Sequence, residues 1–360
     1  MIGSQITWAE VCKLFGMQTE ATFSRGSSGL FALFSILKEK YGVGEVVVPA
    51  LCCETVAMAA WYAGHEVRFA DVGSDIPCLT SKTLAPLMSD RTRAVVVVHL
   101  YGVETETEAF EELRRRYPHA LFVEDIAHAL GGRTRDGMLL GGGLDVALMS
   151  FAENKIIPGE GGALLFSAAH ADMRDAVLAT IDQGKSLASP RLAISLRNLV
   201  HALADCWREV GILPTPSIFT SMLPAYQAMI ATAGSIEHEA LVLKGLASLN
   251  ENRTARYRNY LAYFVGIDKR KATVMGLHAG STCWRCSVVF PTPKVADAAT
   301  RALRKAGLPA SNHYFPLSIL VGDNGCPNAE KYSRRVVNLW VDQNVTPSGL
   351  AQTIEIINRT

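Results

Sequence analysis

The chain has 360 residues, of which 49% are hydrophobic and 19% are charged. This length predicts two domains, or one large domain with an appendage. The composition excludes a largely disordered chain, because charged residues are fewer than the roughly 25% of average globular proteins. The 35 basic and 34 acidic residues leave a formal net charge of +1, so the sequence offers no electrostatic footprint for a nucleic-acid partner.

The first ten residues lack the basic segment and the uninterrupted apolar run of a signal peptide, so we expect a cytoplasmic protein. The longest stretch without a charged residue, residues 210–236, contains three prolines and several polar side chains. A membrane span tolerates such a composition poorly, and we expect no membrane partner.

Residues 25–166 alternate short β-branched runs with amphipathic segments of helical length. This rhythm is typical of βαβ units and predicts a mainly parallel sheet. The predicted strands are Glu45–Val48, Glu66–Ala70, Ala94–Val98, Leu121–Glu124, Asp145–Met149 and Ala163–Phe166. The predicted helices are Ser28–Lys40, Thr55–Ala63, Thr105–Tyr117 and Ala168–Thr180.

After Pro190, apolar residues recur at every third or fourth position, as on one side of a helix. They are Leu192, Leu196, Leu199, Leu203, Cys206, Val210 and Leu213. We expect this face to pack against the rest of the protein or a second subunit rather than against a membrane surface.

A second helical stretch, residues 224–265, leads into a smaller α+β unit. Its predicted strands are Cys286–Phe290 and Val336–Val341, and its predicted helices are Val295–Ala306 and Ser348–Ile357. We therefore expect a large α/β domain over residues 1–230 and a small α+β domain over residues 231–360. The single Cys-x-x-Cys at Cys283 lacks a second ligand pair, so we expect no metal site.

Four polar motifs fall where open α/β sheets place their ligands, at strand ends or at a helix start. The first, Ser24-Arg25-Gly26-Ser27-Ser28-Gly29, has backbone amides and hydroxyls that suit a phosphate at the positive end of a helix. A simple helix cap is the alternative. The motif matches neither the dinucleotide nor the P-loop pattern.

The other three motifs follow predicted strands. Strand 121–124 runs into Asp125 and His128, where a buried carboxylate would need a partner such as the protonated ring nitrogen of a cofactor. A helix-capping aspartate is the alternative. Strand 145–149 runs into Ser150 and Lys155, whose amine would have a lowered pKa beside a cationic ring and could form a Schiff base. A glycine-rich loop, residues 159–162, then turns back into the next strand.

In this order, the motifs resemble the DegT/DnrJ/StrS-type sugar aminotransferases, which are fold-type-I enzymes that use pyridoxal 5′-phosphate (PLP). The matching segments are Gly26-Ser27, Val48-Pro49-Ala50-Leu51, Val98-His99-Leu100-Tyr101-Gly102, Glu124-Asp125-Ile126-Ala127-His128, Ser150-Phe151 with Lys155, and Gly159-Glu160-Gly161-Gly162. Weaker matches at Tyr226-Gln227-Ala228 and His313-Tyr314-Phe315-Pro316-Leu317 extend the resemblance over nearly the whole chain. It implies the aspartate-aminotransferase-like fold and a homodimer.

The resemblance also implies roles for individual residues. Lys155 would form the Schiff base with PLP and move the proton between substrate and cofactor. Asp125 would pair with the pyridinium nitrogen, and His128 would lie near the phenolic oxygen. The phosphate would be bound by Gly26, Ser27 and Ser150.

Two positions depart from the family pattern. Cys53 stands where many relatives place an aromatic side chain that stacks on the PLP ring, so stacking must be weaker or come from elsewhere. Thr220 and Met222 stand where relatives tend to offer an Asn and an Arg to the phosphate of the neighbouring subunit, which puts that contact in question. Four residues of the small domain are candidates for the substrate wall, with ordinary packing as the alternative: His313, Tyr314, Trp284 and Arg285.

The resemblance implies ping-pong transamination from glutamate or glutamine to a keto-sugar, for which the family suggests a nucleotide-linked form. Another PLP reaction on the same fold, such as aminocyclitol amination or an elimination in secondary metabolism, is the first alternative. A non-catalytic homologue that serves as a binding or scaffold protein is the second. The presence of Lys155, Asp125 and Ser150 argues against the second, because loss of function would remove the reactive amine early.

Overall fold

A seven-stranded sheet forms the centre of the N-terminal half of the chain in the computed structural model, which describes residues 6–182, 190–211, 224–230, 234–322 and 325–360. Its strands are β1 Thr19–Phe23, β2 Glu45–Pro49, β3 Glu66–Ala70, β4 Thr92–Val98, β5 Leu121–Asp125, β6 Val146–Ser150 and β7 Gly162–Phe166. They lie in the order β1-β7-β6-β5-β4-β2-β3. Strands β2 to β6 are parallel, whereas β7 is antiparallel to both of its neighbours.

Helices cover both faces of this sheet. They are α1 Trp8–Leu14, α2 Gly26–Tyr41, α3 Glu54–Ala63, α4 Ser81–Leu84, α5 Glu111–Arg116, α6 Met173–Asp182 and α7 Pro190–Val210. Successive residues of β4 show the two layers, because Val96 packs in the core that contains α2 and α3, whereas Val97 packs in the core that contains α4 and α5. Burial on both faces explains the continuous valine run of this strand.

A second, antiparallel sheet lies in the C-terminal part of the chain. Its strands are β8 Thr273–Val274, β9 Cys286–Val289, β10 Ala310–Ser311 and β11 Val336–Leu339, in the order β10-β11-β9-β8. The helices of this half are α8 at residues 224–230, α9 Glu239–Ala247, α10 Leu249–Gly266, α11 Pro293–Lys305, α12 Pro327–Arg335 and α13 Pro347–Arg359. Tyr260, Phe290 and Ile357 lie in its core.

The expected α/β architecture with a mainly parallel sheet is confirmed. The prediction of one helix over Thr105–Tyr117 is wrong, because a 3-10 turn over Thr107–Phe110 precedes α5. The backbone N–H of Thr105 donates to Nδ1 of His99 at 2.9 Å, which holds the chain at the end of β4 instead of releasing it into a helix. The predicted helix Ala168–Thr180 is likewise a 3-10 turn, Ala168–His170, followed by α6.

Three strands have no counterpart in the sequence-based prediction. Strand β1 pairs with β7 at the edge of the larger sheet. The two strands are antiparallel, and Thr19 lies opposite Phe166. Strands β8 and β10 have two residues each and exist only through pairing with β9 and β11. Such short strands leave no periodic signal in a sequence.

The boundary expected between residues 230 and 231 remains a prediction. In the structure, Val242 and Leu246 of α9 pack into the core of the larger sheet, whereas Tyr260 and Tyr263 of α10 pack into the core of the smaller one. Within the described ranges, no helix is both long enough and apolar enough to cross a bilayer.

Candidate active site

A cavity of about 420 Å³ opens at the carboxyl ends of β5 and β6, between the two sheets. Ten of the sequence-predicted site residues line it: Gly26, Ser27, Cys53, Asp125, Ser150, Lys155, Trp284, Arg285, His313 and Tyr314. The eleventh, His128, lies beside them through its contacts with Lys155 and Tyr314. The structure therefore brings together residues that are far apart in the sequence, as the edge-of-sheet argument predicts.

Lys155 lies in the loop that follows β6, where its backbone N–H donates to the carbonyl of Ala152 at 2.9 Å. Its half-buried side chain extends toward β5, and Nζ lies 2.9 Å from Nε2 of His128. Burial lowers the pKa of the Lys155 amine, against the raising effect of the Cys53 thiol and the Asp125 carboxyl. The amine is therefore closer to its neutral form, the form that can accept a proton or act as a nucleophile.

His128 is held in one orientation by its neighbours. Its imidazole stacks on the Trp284 indole, and its Nδ1 accepts a hydrogen bond from the backbone N–H of Tyr101 at 3.3 Å. Burial lowers the pKa of His128 well below its ordinary value, as do the charges of Lys155 and Arg285. Because Nδ1 accepts a hydrogen bond, the single proton of the neutral ring lies on Nε2, which points at the Lys155 amine.

Asp125 is the last residue of β5 and is buried. Its Oδ1 accepts a hydrogen bond from the backbone N–H of Ala127 at 2.9 Å. Burial raises the pKa of the Asp125 carboxyl, although this hydrogen bond and the Lys155 charge lower it. Among the described residues, no cation pairs with this carboxylate at ion-pair distance. A buried acid that faces a cavity and is not paired with any of these cations fits a ligand that brings its own positive charge.

The neighbouring Glu124 stiffens this strand end. Its Oε1 lies 3.0 Å from Nε2 of His99 and accepts a hydrogen bond from Gly141 N at 2.6 Å. Its Oε2 accepts a hydrogen bond from Gly143 N at 3.0 Å. Glu124 and His99 are buried, so these contacts fix the backbone on which Asp125 is carried. Both residues stand in the matching motifs, but their sequence gives no sign of this role.

The start of α2 lines the cavity. Arg25, the N-cap residue, makes no capping hydrogen bond with its side chain, and Ser27 and Ser150 line the same pocket. A Cβ at Gly162 would lie 2.4 Å from the backbone N of Gly26, so only glycine lets β7 approach this turn. The amides, hydroxyls and dipole at the start of a helix suit a phosphate.

Cys53 precedes α3 and contributes a thiol where the resemblance expects an aromatic ring. Its Sγ lies 3.2 Å from Oγ1 of Thr55, and burial raises the pKa of the thiol to about 12. Beside it, Glu54 accepts a hydrogen bond from the Tyr226 hydroxyl at 3.3 Å. Burial also raises the pKa of Glu54. Neither Glu54 nor Tyr226 is among the predicted site residues, because only the fold brings them together.

Helix α7 closes one side of the cavity with Leu196, Arg197, Val200 and His201. Nε1 of Trp207 donates to Oγ of Ser333 at 2.9 Å, which attaches α7 to α12. The His201 and His313 rings stack with centroids 3.9 Å apart. The predicted helix packs as expected, but Leu199 and Val210 are exposed, whereas Leu196 and Leu203 are buried. Because an α-helix has 3.6 residues per turn, Leu199 and Val210 lie to one side of the face that packs.

Three further positions lie outside the described residues. They are Leu213, the last residue of the predicted apolar helix face, and Thr220 and Met222, which stand where relatives contact the phosphate of the neighbouring subunit.

The four substrate-wall candidates line the cavity on the side of the smaller sheet. The Tyr314 hydroxyl lies 3.3 Å from Nε2 of His128. Burial lowers the pKa of His313 to about 3, and its buried Nδ1 has no hydrogen-bond partner among the described residues. The Arg285 guanidinium lies between the indoles of Trp284 and Trp340.

Three non-glycine residues with positive φ surround this site. They are Tyr101 at 61°, Glu160 at 49° and Cys283 at 53°. Tyr101 packs against Trp284 and Tyr314, Glu160 lines the cavity, and Cys283 directly precedes Trp284. The left-handed region costs a non-glycine residue roughly 1–2 kcal/mol, so the backbone is strained where the candidate side chains meet.

Comparison with known proteins places this geometry in context. Residues 8–186 match the model of the DegT/DnrJ/EryC1/StrS aminotransferase family. The chain is 25% identical to the UDP-N-acetyl-3-dehydro-alpha-D-glucosamine 3-aminotransferase of Acidithiobacillus ferrooxidans, over 98% of this chain and 87% of that protein.

Two further relatives match a shorter region. Identity is 33% with the L-glutamine:2-deoxy-scyllo-inosose aminotransferase of Streptomyces fradiae, over 39% of this chain and 32% of that protein. Identity is 36% with the GDP-perosamine synthase of Caulobacter vibrioides, over 34% of this chain and 34% of that protein. The chain therefore matches about a third of the length of these two relatives.

Solved structures share the fold. The aminotransferase TlmJ from Streptoalloteichus hindustanus superimposes with a TM-score of 0.76 at 23% identity, over 98% of this chain and 88% of that one. A DegT DnrJ EryC1 StrS aminotransferase from Brucella abortus superimposes with a TM-score of 0.73 at 19% identity, over 100% of this chain and 91% of that one. At these identities the likeness shows the fold alone.

Proposed function

Because the chain belongs to the DegT/DnrJ/EryC1/StrS aminotransferase family, we propose that it is a PLP-dependent aminotransferase that transfers an amino group from glutamate or glutamine to a keto-sugar. One observation carries the proposal. The amine of Lys155 and the buried carboxyl of Asp125, which has no paired cation among the described residues, face the same cavity.

The residues present fit PLP on three independent points. Asp125 is a buried acid that a protonated ring nitrogen would compensate. The start of α2, with Ser27 and Ser150 on the cavity wall, would bind the phosphate. His128 lies within 2.9 Å of the Lys155 amine and would stand beside the phenolic oxygen. When bound, PLP supplies an electron-accepting ring that stabilises negative charge on the substrate carbon.

Lys155 would move the proton in this reaction. Its lowered pKa favours the neutral amine, which can take a proton from the substrate carbon. His128 would hold the amine in place through Nε2, and its own position is fixed by Trp284 and by the backbone of Tyr101. Asp125 stays fixed by Ala127 and would keep the ring nitrogen protonated.

The donor and the acceptor would bind in turn in the same cavity. Trp284, Arg285, His313 and Tyr314 would form its substrate wall. A nucleotide-linked keto-sugar is the acceptor we favour, because the relative that aligns over 98% of this chain is named for a UDP-linked 3-dehydro sugar. A keto-cyclitol is the second candidate, since a relative named for 2-deoxy-scyllo-inosose shares 33% identity over 39% of the chain.

We also propose that the enzyme is a cytoplasmic homodimer. Eight cysteines in 360 residues are too few for a disulfide framework and suit a reducing compartment. Helix α7 leaves Leu199 and Val210 exposed on one side, and exposed apolar side chains of this kind suit a subunit contact. Light scattering after size-exclusion chromatography tests the dimer, which a monomer at micromolar concentration would refute.

The proposed activity is tested by reduction and by exchange. The protein purified with PLP should show an absorption band that borohydride removes, and the reduced adduct should map to the peptide that contains Lys155. In a separate sample that has not been reduced, incubation with glutamate should release 2-oxoglutarate. An adduct on another lysine, or no adduct at all, would refute the proposed site. An adduct without release of the keto acid from glutamate or glutamine would favour an elimination or a binding protein.

A further inference from the structure

Trp284, which belongs to the smaller sheet's half of the molecule, contacts the loop that carries Lys155. Its indole Nε1 donates a hydrogen bond to the backbone carbonyl of Asn154 at 3.0 Å. That carbonyl belongs to the peptide bond between Asn154 and Lys155. An indole has a single donor, so the ring cannot turn over in its place without losing this bond. Trp284 therefore fixes the main chain at the base of the lysine.

The face of the same indole acts on the other end of the lysine. The His128 imidazole stacks on it, and Nε2 of His128 lies 2.9 Å from Nζ of Lys155. The amine itself lies over the Trp284 ring, 5.8 Å from its centroid. One side chain thus contacts both the backbone next to Lys155 and the ring that holds the Lys155 amine.

Trp284 is anchored on the side of the smaller sheet. Its backbone carbonyl accepts hydrogen bonds from Nη1 of Arg285 at 2.8 Å and from Nη1 of Arg256, on α10, at 3.4 Å. The Arg285 guanidinium also packs on the indole, 4.4 Å from the ring centroid. All three residues are buried. The position of the indole therefore depends on where the smaller sheet and α10 lie.

Burial is the largest influence on the pKa of the Lys155 amine, and it lowers that pKa. The other groups around the amine oppose one another: the pKa is raised by Cys53, Asp125 and Glu54 and lowered by Arg285. The indole of Trp284 is one of the surfaces that cover the amine. Its removal would admit water and return the pKa toward 10.5, the ordinary value for lysine.

We propose that Trp284 is a positioning residue that holds Lys155 at both ends and makes proton transfer by the lysine depend on the docking of the smaller sheet. This inference rests on the proposed function, in which Lys155 moves the proton. A residue of the substrate wall changes how tightly a substrate binds, whereas a positioning residue changes the rate of the bound complex. Small displacements of a reacting group are enough, since a shift of about 1 Å can cost about 10²-fold in rate.

Two substitutions separate the hydrogen bond from the stack. Trp284→Phe keeps an aromatic face for His128 but lacks the Nε1 donor, whereas Trp284→Leu lacks both. In single turnovers of the holoenzyme with glutamate or glutamine, we expect the rate at saturation to fall about tenfold in Trp284→Phe and about 10²-fold or more in Trp284→Leu. The half-saturating donor concentration should stay within about threefold of the wild type.

Competitive labelling of the apoprotein gives a readout other than activity. Acetic anhydride reacts with the neutral amine, so the labelling of Lys155 from about pH 7 to pH 11 reports its pKa. We expect this pKa to rise toward 10.5 in Trp284→Leu and to rise less in Trp284→Phe, whose ring still excludes water. Trp8→Phe is the matched control, because it removes an indole hydrogen bond to Glu239 outside the cavity and should match the wild type in both measurements.

Three results would overturn the inference. A wild-type pKa of Lys155 in folded Trp284→Leu would show that the indole does not act on the amine. A higher half-saturating donor concentration at an unchanged rate would assign Trp284 to the substrate wall alone. Equal losses in Trp8→Phe would trace the effect to general destabilisation.

The design also covers misfolding and a failure of the proposed function. Should Trp284→Leu not fold by circular dichroism, the same two measurements on Trp284→Phe decide. A wild type that exchanges no amino group with either donor would refute the proposed function. The labelling experiment needs no turnover, so it would still test the contact between Trp284 and the Lys155 amine.

Discussion

The imidazole of His128 stacks on the indole of Trp284, with ring centroids 3.8 Å apart and ring planes inclined by 6°. His128 follows β5 of the larger sheet, and Trp284 precedes β9 of the smaller one. The contact therefore joins the two sheets at the point where Nε2 of His128 meets the Lys155 amine. The position of the Lys155 amine therefore depends on how the two sheets pack against each other.

Replacing Lys155 by methionine tests both chemistry and burial. Turnover should fall by about 10³-fold or more, because the variant has neither a nucleophile nor a proton carrier. Since the folded-state pKa of Lys155 lies below its ordinary 10.5, the unfolded chain holds the proton more tightly between these two values. The apoprotein of the wild type should therefore be less stable than Lys155→Met at pH 7, and the difference should shrink as pH rises toward 10.5.

Urea unfolding of both apoproteins at pH 7 and pH 10 measures this difference. A gap that widens with pH would mean that the amine is charged and paired in the folded protein.

Asp125→Asn separates cofactor binding from activation. The amide should leave the fold intact, while turnover falls by about 10²-fold, equivalent to a lost buried charge pair of about 3 kcal/mol. Because burial raises the folded-state pKa of Asp125, the wild-type apoprotein should lose stability relative to the variant as pH rises from 3.8. Single-turnover absorbance and urea unfolding measure the two effects, and full turnover in the variant would contradict the role of Asp125.

Gly162→Ala tests the close approach at the phosphate pocket. Its Cβ would lie 2.4 Å from the backbone N of Gly26, so β7 and α2 must separate. We expect the variant to lose about 1–3 kcal/mol of stability and to bind PLP more weakly, with little change for pyridoxal, which lacks the phosphate. Gly276→Ala, with no atom within 4 Å of its new Cβ, is the matched control. Equal weakening for PLP and pyridoxal would locate the damage elsewhere.

His313 should remain neutral at physiological pH. Burial lowers its pKa to about 3, aided by His201, Arg304 and Arg208 and opposed by Asp205. The unfolded chain takes up a proton near pH 6.5, so the wild type should lose stability relative to His313→Asn as pH falls from 6.5 to about 3. The loss should reach about 1–2 kcal/mol at pH 5. Urea unfolding at pH 7.5 and 5.0 tests this, and an NMR titration of His313 near pH 6.5 would contradict it.

The order of motifs made much of the site predictable from the sequence. Parallel strands place their carboxyl ends along one edge, so Asp125, Ser150 and Lys155 could be assigned to one cleft from strand ends alone. Glu54 and Tyr226 could not, because their hydrogen bond joins residues 172 positions apart and depends on how α8 packs. The paired His201 and His313 rings depend in the same way on the docking of α7.

The fold was predictable where hydrophobic runs were long. Strands β2 and β4 to β7 are mostly buried and have clear patterns, whereas β8 and β10 arise from pairing of two residues each. The prediction that Leu199 lies on the buried face of α7 is wrong. Alternating steps of three and four residues give a period of 3.5, whereas a straight α-helix has 3.6 residues per turn, so the predicted face drifts around the helix.

The left-handed backbone at Tyr101, Glu160 and Cys283 limits how this enzyme can be made more heat-resistant. Glycine at any of the three would relax the main chain, yet Tyr101 and Cys283 also set the position of the Trp284 ring. A screen for thermostability alone would therefore tend to select substitutions that displace the side chains around this cavity. Glu160, whose side chain is exposed, is the one position of the three where a gain in melting temperature need not disturb the aromatic wall.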